Sequence, residues 1–355
     1  MILARSPHYL TIAWTQVAFA TIPEKYIIQL YVWKGLKASV PAQPTRQLEN
    51  KNPLERVGTS DVNISNYVKD ILTVGLQSDT STNVINSNSS VWVKSQVIYY
   101  IGGVAQTPYY VVTDLAIDGY GYGIEGKNTT IPTNNALTSV LSANVSSTTN
   151  YTIPIKVSET VSTAISVISY PLNTLNDSFT IAATTNSNEL IKNIFVKCSE
   201  IGTDTSIQIK RNTVLIKELI LKEEFRYTPI DVWFLNKFGQ LDTLVFFKEK
   251  VESLSITSEK YESSIGQPIN GIRQFEKYNT NGKTSYKINS GFVKESNNEI
   301  FKQLFLSNKC WEFNGTIFVP INLKSTNLEY KSKLSERLIN YEAEFEYAFN
   351  ELNNA

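Results

Sequence analysis

Histidine is almost absent from this chain, with His8 alone in 355 residues, and cysteine is nearly so, with Cys198 and Cys310 far apart. A catalytic imidazole or a His/Cys metal site therefore has very little to be built from. The two cysteines read as buried, reduced thiols of a protein that folds in a cytoplasm. An excess of one charge is also missing: 33 Lys and Arg balance 33 Asp and Glu, so no net field draws the chain to nucleic acid or to an anionic membrane. No apolar run reaches the roughly 18 residues that a spanning helix needs, so no membrane insertion is expected. The apolar stretch Leu10–Ile22 follows a lone Arg5 and is broken by Thr11, Thr15, Gln16 and Thr21, which makes it a first strand rather than a secretory signal. No Gly-x-Ser-x-Gly elbow and no phosphate-cradling glycine loop occurs either.

What the chain does have is 19 Tyr and 16 Phe in a 42% hydrophobic composition, with Asn, Ser and Thr between the apolar runs. Aromatic and β-branched residues suit pleated faces, and small polar residues suit turns. The length exceeds one ordinary sandwich. The expected fold is therefore mainly β, with two or three antiparallel β-sandwich-like domains and one or two short helices.

Residues 1–128 read as an N-terminal β-sandwich domain. Tyr26–Trp33, Val91–Ile101 and Tyr109–Thr113 are its strands, Ala38–Gly58 a long loop, and Val62–Leu72 a segment ending in a helical turn. Four glycines in Asp118–Gly126 mark a tight turn with aromatic rings over it. Residues 129–188 read as a loop-rich linker or small β subdomain, in which Tyr151–Ser169 and Ser178–Ala183 recover alternation. Residues 189–355 read as a C-terminal β domain with one helix. There Lys192–Ser199, Ser206–Lys210, Val214–Leu221, Asp231–Asn236 and Thr243–Phe247 are successive strands of an antiparallel sheet. Asn297–Leu306 is the helix, because Ile300, Leu304 and Phe305 fall at helical spacing. Thr316–Leu323 and Leu338–Phe349 close the chain as strands, the second turning helical near its end. Trp233, Phe234, Phe238, Phe246 and Phe247 are core candidates, with Asn236 and Gly239 in the turn between two strands.

Three constellations invite chemistry. Asp114, Asp118 and Glu125, with the glycine-rich carbonyls between them, could coordinate Ca²⁺, but their spacing matches no EF-hand and Leu115 and Ile117 alternate as in a strand. Glu223 and Glu224 offer the two carboxylates of a glycosidase, yet adjacent side chains point apart on any regular element and read as a solvated turn. Tyr120 and Tyr122 could stack on a sugar, although turn packing is the commoner use. Asn-x-Ser/Thr triplets at Asn63, Asn88, Asn128, Asn144, Asn176 and Asn314 follow from the composition alone. No catalytic, cofactor or metal residue is assigned.

Tyr227–Phe247 (YTPIDVWFLNKFGQLDTLVFF) resembles a segment of virion structural proteins from Bacteroidetes (Flavobacterium-type) phages and prophages, in which a strand, an Asn-x-Phe-Gly turn and an aromatic strand follow one another. Leu328–Phe349, with Phe305–Trp311 and Thr316–Leu323, is similar to the end of the same proteins, and Asp114–Gly126 to a piece near the end of their first domain. The resemblance covers about half the chain, and its motifs are structural. It implies a phage tail or baseplate component, not an enzyme, forming a homo-oligomer in a symmetric ring with other virion proteins. Its place would be the virion, assembled in the host cytoplasm. The alternative expectation is a secreted or surface carbohydrate-binding module or adhesin that meets a host-surface glycan; such a protein would carry a cleavable signal, against which the Met1 start weighs.

Overall fold

The computed structural model describes residues 1–13, 22–51, 58–73, 76, 83–129, 131, 136–138, 140–201, 204–224, 226–263, 273–329 and 338–352. The protein is mainly β, with several mostly antiparallel sheets and few short helices, as the alternation predicts. Two compact units divide the chain. Met1–Ala143, Asn150–Leu221 and Leu235–Asp242 form the first; Asn144–Thr149, Lys222–Phe234 and Thr243–Ala355 form the second.

In the first unit a sheet runs in the order Ile2–Leu3, Tyr110–Ile117, Ser90–Ile101, Lys25–Trp33, Arg46–Lys51. Its central strands bury one face along most of their length and both faces at the end around Trp33 and Trp92. Tyr26, Ile28, Leu30 and Val32 pack with Val91, Val93, Val97 and Tyr99 under Leu10 and Ile12 of the Tyr9–Ala13 strand and Ile64 and Val68 at the helix Ser65–Lys69. Tyr31 and Trp33, pointing the other way as the period of two requires, join Trp92, Leu115, Ile117, Leu190, Ile191 and Phe238 in a second cluster. A three-stranded sheet, Asn150–Lys156, Ile191–Lys197 and Val84–Asn86, and a five-stranded one containing the hairpin of Thr163–Tyr170 and Thr174–Ile181 complete this unit.

The structure corrects two expectations. Ala38–Gly58 is not all loop, because Arg46–Lys51 pairs with Lys25–Leu30; this polar edge strand is held by its backbone ladder and leaves no apolar alternation to read. Residues 52–57 of that segment lie outside the described residues. Ser142–Val145, in the segment read as a loop-rich linker or small β subdomain, is a strand beside Val214–Leu221. The five runs between Lys192 and Phe247 are all strands, but they enter three different sheets instead of one, since alternation identifies a strand and not its neighbour.

The second unit is built on a sheet in the order Leu241–Phe246, Ile230–Leu235, Cys310–Phe313, Phe318–Leu323, Leu338–Tyr347, Phe275–Lys294, Val251–Glu262, of which Leu235, Leu241 and Asp242 count with the first unit. The expected helix is present as Asn298–Phe305, burying Ile300, Phe301 and Leu304. Phe301 meets Tyr341 with ring centroids 4.4 Å apart and Phe246 at 6.3 Å, edge to face, and Phe246 meets Phe345 at 6.2 Å. The rings interlock in the offset and T-shaped arrangements their quadrupoles favour. Leu338–Tyr347 ends as a strand, with no helical turn after it among the described residues. Residues 14–21 of the first expected strand and 330–337 of the C-terminal motif lie outside the described residues.

Candidate functional site

The glycine-rich turn is the first place to look for chemistry. Gly119 and Gly239 face each other's chain segments. A Cβ on Gly239, whose φ is +65°, would lie 2.2 Å from the Asp118 carbonyl oxygen, and one on Gly119 would lie 3.0 Å from the Lys237 carbonyl oxygen. The Tyr120 N–H donates to that Lys237 carbonyl at 2.7 Å. Here the two glycines allow two backbones to touch, a role that needs no ligand. The acidic groups have partners: the Glu125 carboxylate takes the Lys237 ammonium and the Tyr122 N–H, and Asp114 lies 3.7 Å from the N-terminal amine. No cluster of three or more His, Cys, Asp or Glu occurs among the described residues. Tyr120 is buried and Tyr122 lies under Lys237, 4.4 Å from ring centroid to ammonium, so the rings serve the turn.

Asn236 organises the same turn. Its side-chain oxygen accepts the Phe238 and Gln240 N–H groups at 2.9 and 3.2 Å, and its amide donates to the Leu137 carbonyl at 2.7 Å. Beside it, the fully buried Lys217 donates to the Val140 carbonyl at 2.9 Å and to Thr138 Oγ1 at 3.1 Å, while Tyr151 donates to Asp242 at 3.1 Å. Burial lowers the Lys217 ammonium from its ordinary range and the Asp242 charge opposes that drop. The Lys217 network has no counterpart among the residues singled out from sequence.

Glu223 and Glu224 do not form a pair. Glu224 is bound by Lys248 at 2.6 Å, which with the Arg226 N–H holds its carboxyl below the usual range, while Glu223 is exposed. His8 is lowered chiefly by burial, with Asp114 raising it. Cys198 and Cys310 are buried and unbridged, and desolvation pushes the Cys310 thiol up to about 12.

In the second unit Asp231 lines a cleft of about 330 Å³ with Thr148, Thr228, Glu312, Asn314 and Gly315. Burial raises its carboxyl to about 7, against a lowering hydrogen bond from Thr149 Oγ1 at 3.0 Å. A carboxyl that exchanges its proton near neutrality is a group sequence reasoning placed only among strand residues.

The most exposed feature is the antiparallel ribbon of Val251–Glu262 and Phe275–Lys294. Eleven of the twelve residues of Val251–Glu262 are exposed on either face, and Val251, Leu254, Ile256 and Phe275 are apolar side chains more than half exposed. The neighbouring strand Leu338–Tyr347 reaches only Ser285, so Leu254–Glu262 with Phe275–Thr284 stands as a two-stranded arm about 30 Å long. Two-stranded arms are marginal alone and open edges attract further strands.

Lys250 anchors the base of the arm. Its ammonium lies 3.1 Å from Glu312, 3.0 Å from Glu252 and 3.0 Å from the Tyr347 hydroxyl, and 4.2 Å from the Tyr286 ring centroid. Burial works against this charge, but Tyr347, Glu312 and Glu252 together outweigh it and raise its pKa. Lys250→Met keeps the stem over the ring and strips Glu312 of its cation. The substitution is expected to cost about 2 kcal/mol after discounting for partial exposure, read as a fall in the urea midpoint; an unchanged midpoint would show that the cluster does not hold the base.

Compared with known proteins, the chain matches no protein-family model and no curated protein.

Proposed function

We propose that the chain is a phage virion structural protein, a tail or baseplate component that acts by assembling with other protein chains. The observation that carries this reading is the ribbon: a long exposed strand at the end of a sheet, with apolar side chains in water and no strand on its outer side among the described residues. Such an edge is a liability in a lone protein and a joint in an assembled one. The resemblance of Tyr227–Phe247 and the C-terminal strands to virion proteins points the same way, and balanced charge lets copies approach without self-repulsion. The partners are further copies of the chain in a symmetric ring and neighbouring virion proteins, and the site of action is the virion.

The test is the mass of the full chain by light scattering across a concentration series, followed by negative-stain imaging. A closed symmetric particle is expected. A chain that stays monomeric throughout and binds glycans on an array overturns the reading in favour of a carbohydrate-binding module.

A further inference from the structure

We infer that the open edge of Val251–Glu262 pairs antiparallel with the same strand of a second copy of this chain, about a twofold axis through Ile256. The inference rests on the assembly reading and names its partner.

The arm has two long edges, and among the described residues the chain lies against one of them at its base, over Asn281–Thr284. Along Phe275–Thr284, the Glu351 N–H donates to the Gly282 carbonyl at 2.9 Å. Leu352 exchanges hydrogen bonds with the Asn281 side chain at 3.2 and 3.4 Å, and Thr284 Oγ1 bonds the Glu351 carboxylate. Gly282 makes room for this, since a Cβ there would lie 3.3 Å from Glu351 Cγ. Nothing comparable lies along Val251–Glu262 among the described residues. That edge is also regular. The irregularity in the ribbon falls where Thr257 to Glu259 spans two steps and Asn281 to Tyr278 spans three, so the extra residue is on the inner strand, where Asn279 takes φ +47°. The outer strand keeps an even pleat that a second strand can follow.

The side chains select both partner and register. In a symmetric antiparallel pair, faces are preserved, so the positions of two opposed residues sum to an even number. Centring on Ile256 sets Ile256 against itself, Glu252 against Lys260, Leu254 against Ser258, Val251 against Tyr261 and Ser255 against Thr257, each of the unlike pairs occurring twice. Opposite charges and hydroxyls meet matching partners, Val251 meets the Tyr261 ring and Ile256 its own copy, while Leu254 faces the Ser258 hydroxyl. Moving the centre to Ser255 brings Lys260 against Lys250, and moving it to Thr257 brings Glu252 against Glu262. Like charges directly opposed disfavour both neighbouring registers. A twofold contact joins copies in pairs, and ring closure then uses a separate surface.

The experiment uses the full chain. Ile256→Cys places two thiols across the proposed axis, and mild oxidation is expected to give a covalent dimer on a non-reducing gel, above a low background because Cys198 and Cys310 are buried. In sedimentation velocity, Glu252→Lys and Lys260→Glu are each expected to weaken the pairing by about tenfold, and the double exchange to restore it, with circular dichroism showing each variant folded. A wild-type assembly that ignores all three substitutions and gives no cross-linked dimer overturns the strand pairing while leaving the assembly reading intact. A wild type that stays monomeric at every concentration overturns both.

Discussion

Valine at position 239 is expected to stop the first unit from folding, and alanine to do most of the same damage. The reason is position rather than side-chain size. Gly239 sits at φ +65° in the turn closed by its own N–H on the Asn236 carbonyl at 2.9 Å, and a Cβ there would fall 2.2 Å from the Asp118 oxygen and 2.5 Å from its carbonyl carbon. Those atoms are backbone, so no rotamer change relieves the overlap. The left-handed conformation adds about 1–2 kcal/mol for any L side chain, and displacing the Asp118–Tyr120 segment breaks the Tyr120 N–H to Lys237 carbonyl bond and opens the cluster around Phe238. We expect the alanine variant to lose about 4 kcal/mol or more, seen as insoluble expression or a large fall in the denaturant midpoint. Asn279, also left-handed but on the exposed inner strand of the arm, supplies the contrast: Asn279→Ala should cost about 1 kcal/mol. An alanine variant at 239 within 1 kcal/mol of the wild type, on the same about 1 kcal/mol scale as the Asn279 change, would refute the close approach.

This turn was legible in the sequence because local chemistry demanded it. Asn and Gly at fixed offsets between two aromatic runs predict a turn whose flanks face inward, and Trp233, Phe234, Phe238, Phe246 and Phe247 are all buried. The helix Asn298–Phe305 was legible for the same reason, since its spacing and its burial coincide. What Gly239 packs against was not legible, because Asp118 is remote in sequence and nothing local marks the contact. The same holds for Lys217, whose partners Thr138 and Val140 lie on another segment; a lone lysine within Val214–Leu221 reads as a solvent-facing position of a half-buried strand, and here it is wholly buried.

The ribbon shows the opposite failure. Sequence reading finds strands through burial, and a strand exposed on both faces has no reason to alternate strongly. Val251–Glu262 interleaves Leu254 and Ile256 with serines and ends in Glu259, Lys260 and Glu262, so its pattern passes for a polar connection. Its β-branched and aromatic content was the available signal, and Phe275, Tyr278 and Tyr286 on the facing strand were a second. The feature on which the proposed assembly rests is thus the one that burial-based patterning is least able to reveal.

Asp231 sets a pH dependence whose sign is fixed by burial. Its carboxyl is raised to about 7 from 3.8 because desolvation penalises the charged form, with the Thr149 hydrogen bond pulling the other way. The folded protein therefore holds this proton more tightly than the unfolded chain. The contribution of this group to stability is fully present below about pH 4 and is lost as pH rises through about 7. Three pK units correspond to about 4 kcal/mol, an upper bound for one buried group. Asp231→Asn keeps the shape and removes the ionisation, so the variant should match the wild type near pH 4 and exceed it at pH 8 by up to about 4 kcal/mol, flattening the curve between. Glu312 lines the same cleft and bonds Lys250 at 3.1 Å in both proteins, so the comparison changes one side chain of the cleft only. Urea midpoints of both proteins from pH 4 to 8 decide the matter, taken as about the window between the two pKa values. Parallel curves would mean that water enters the cleft and solvates the carboxylate, and a wild type more stable at pH 8 than at pH 5, within about that same window, would place the ionised form among partners that favour its charge.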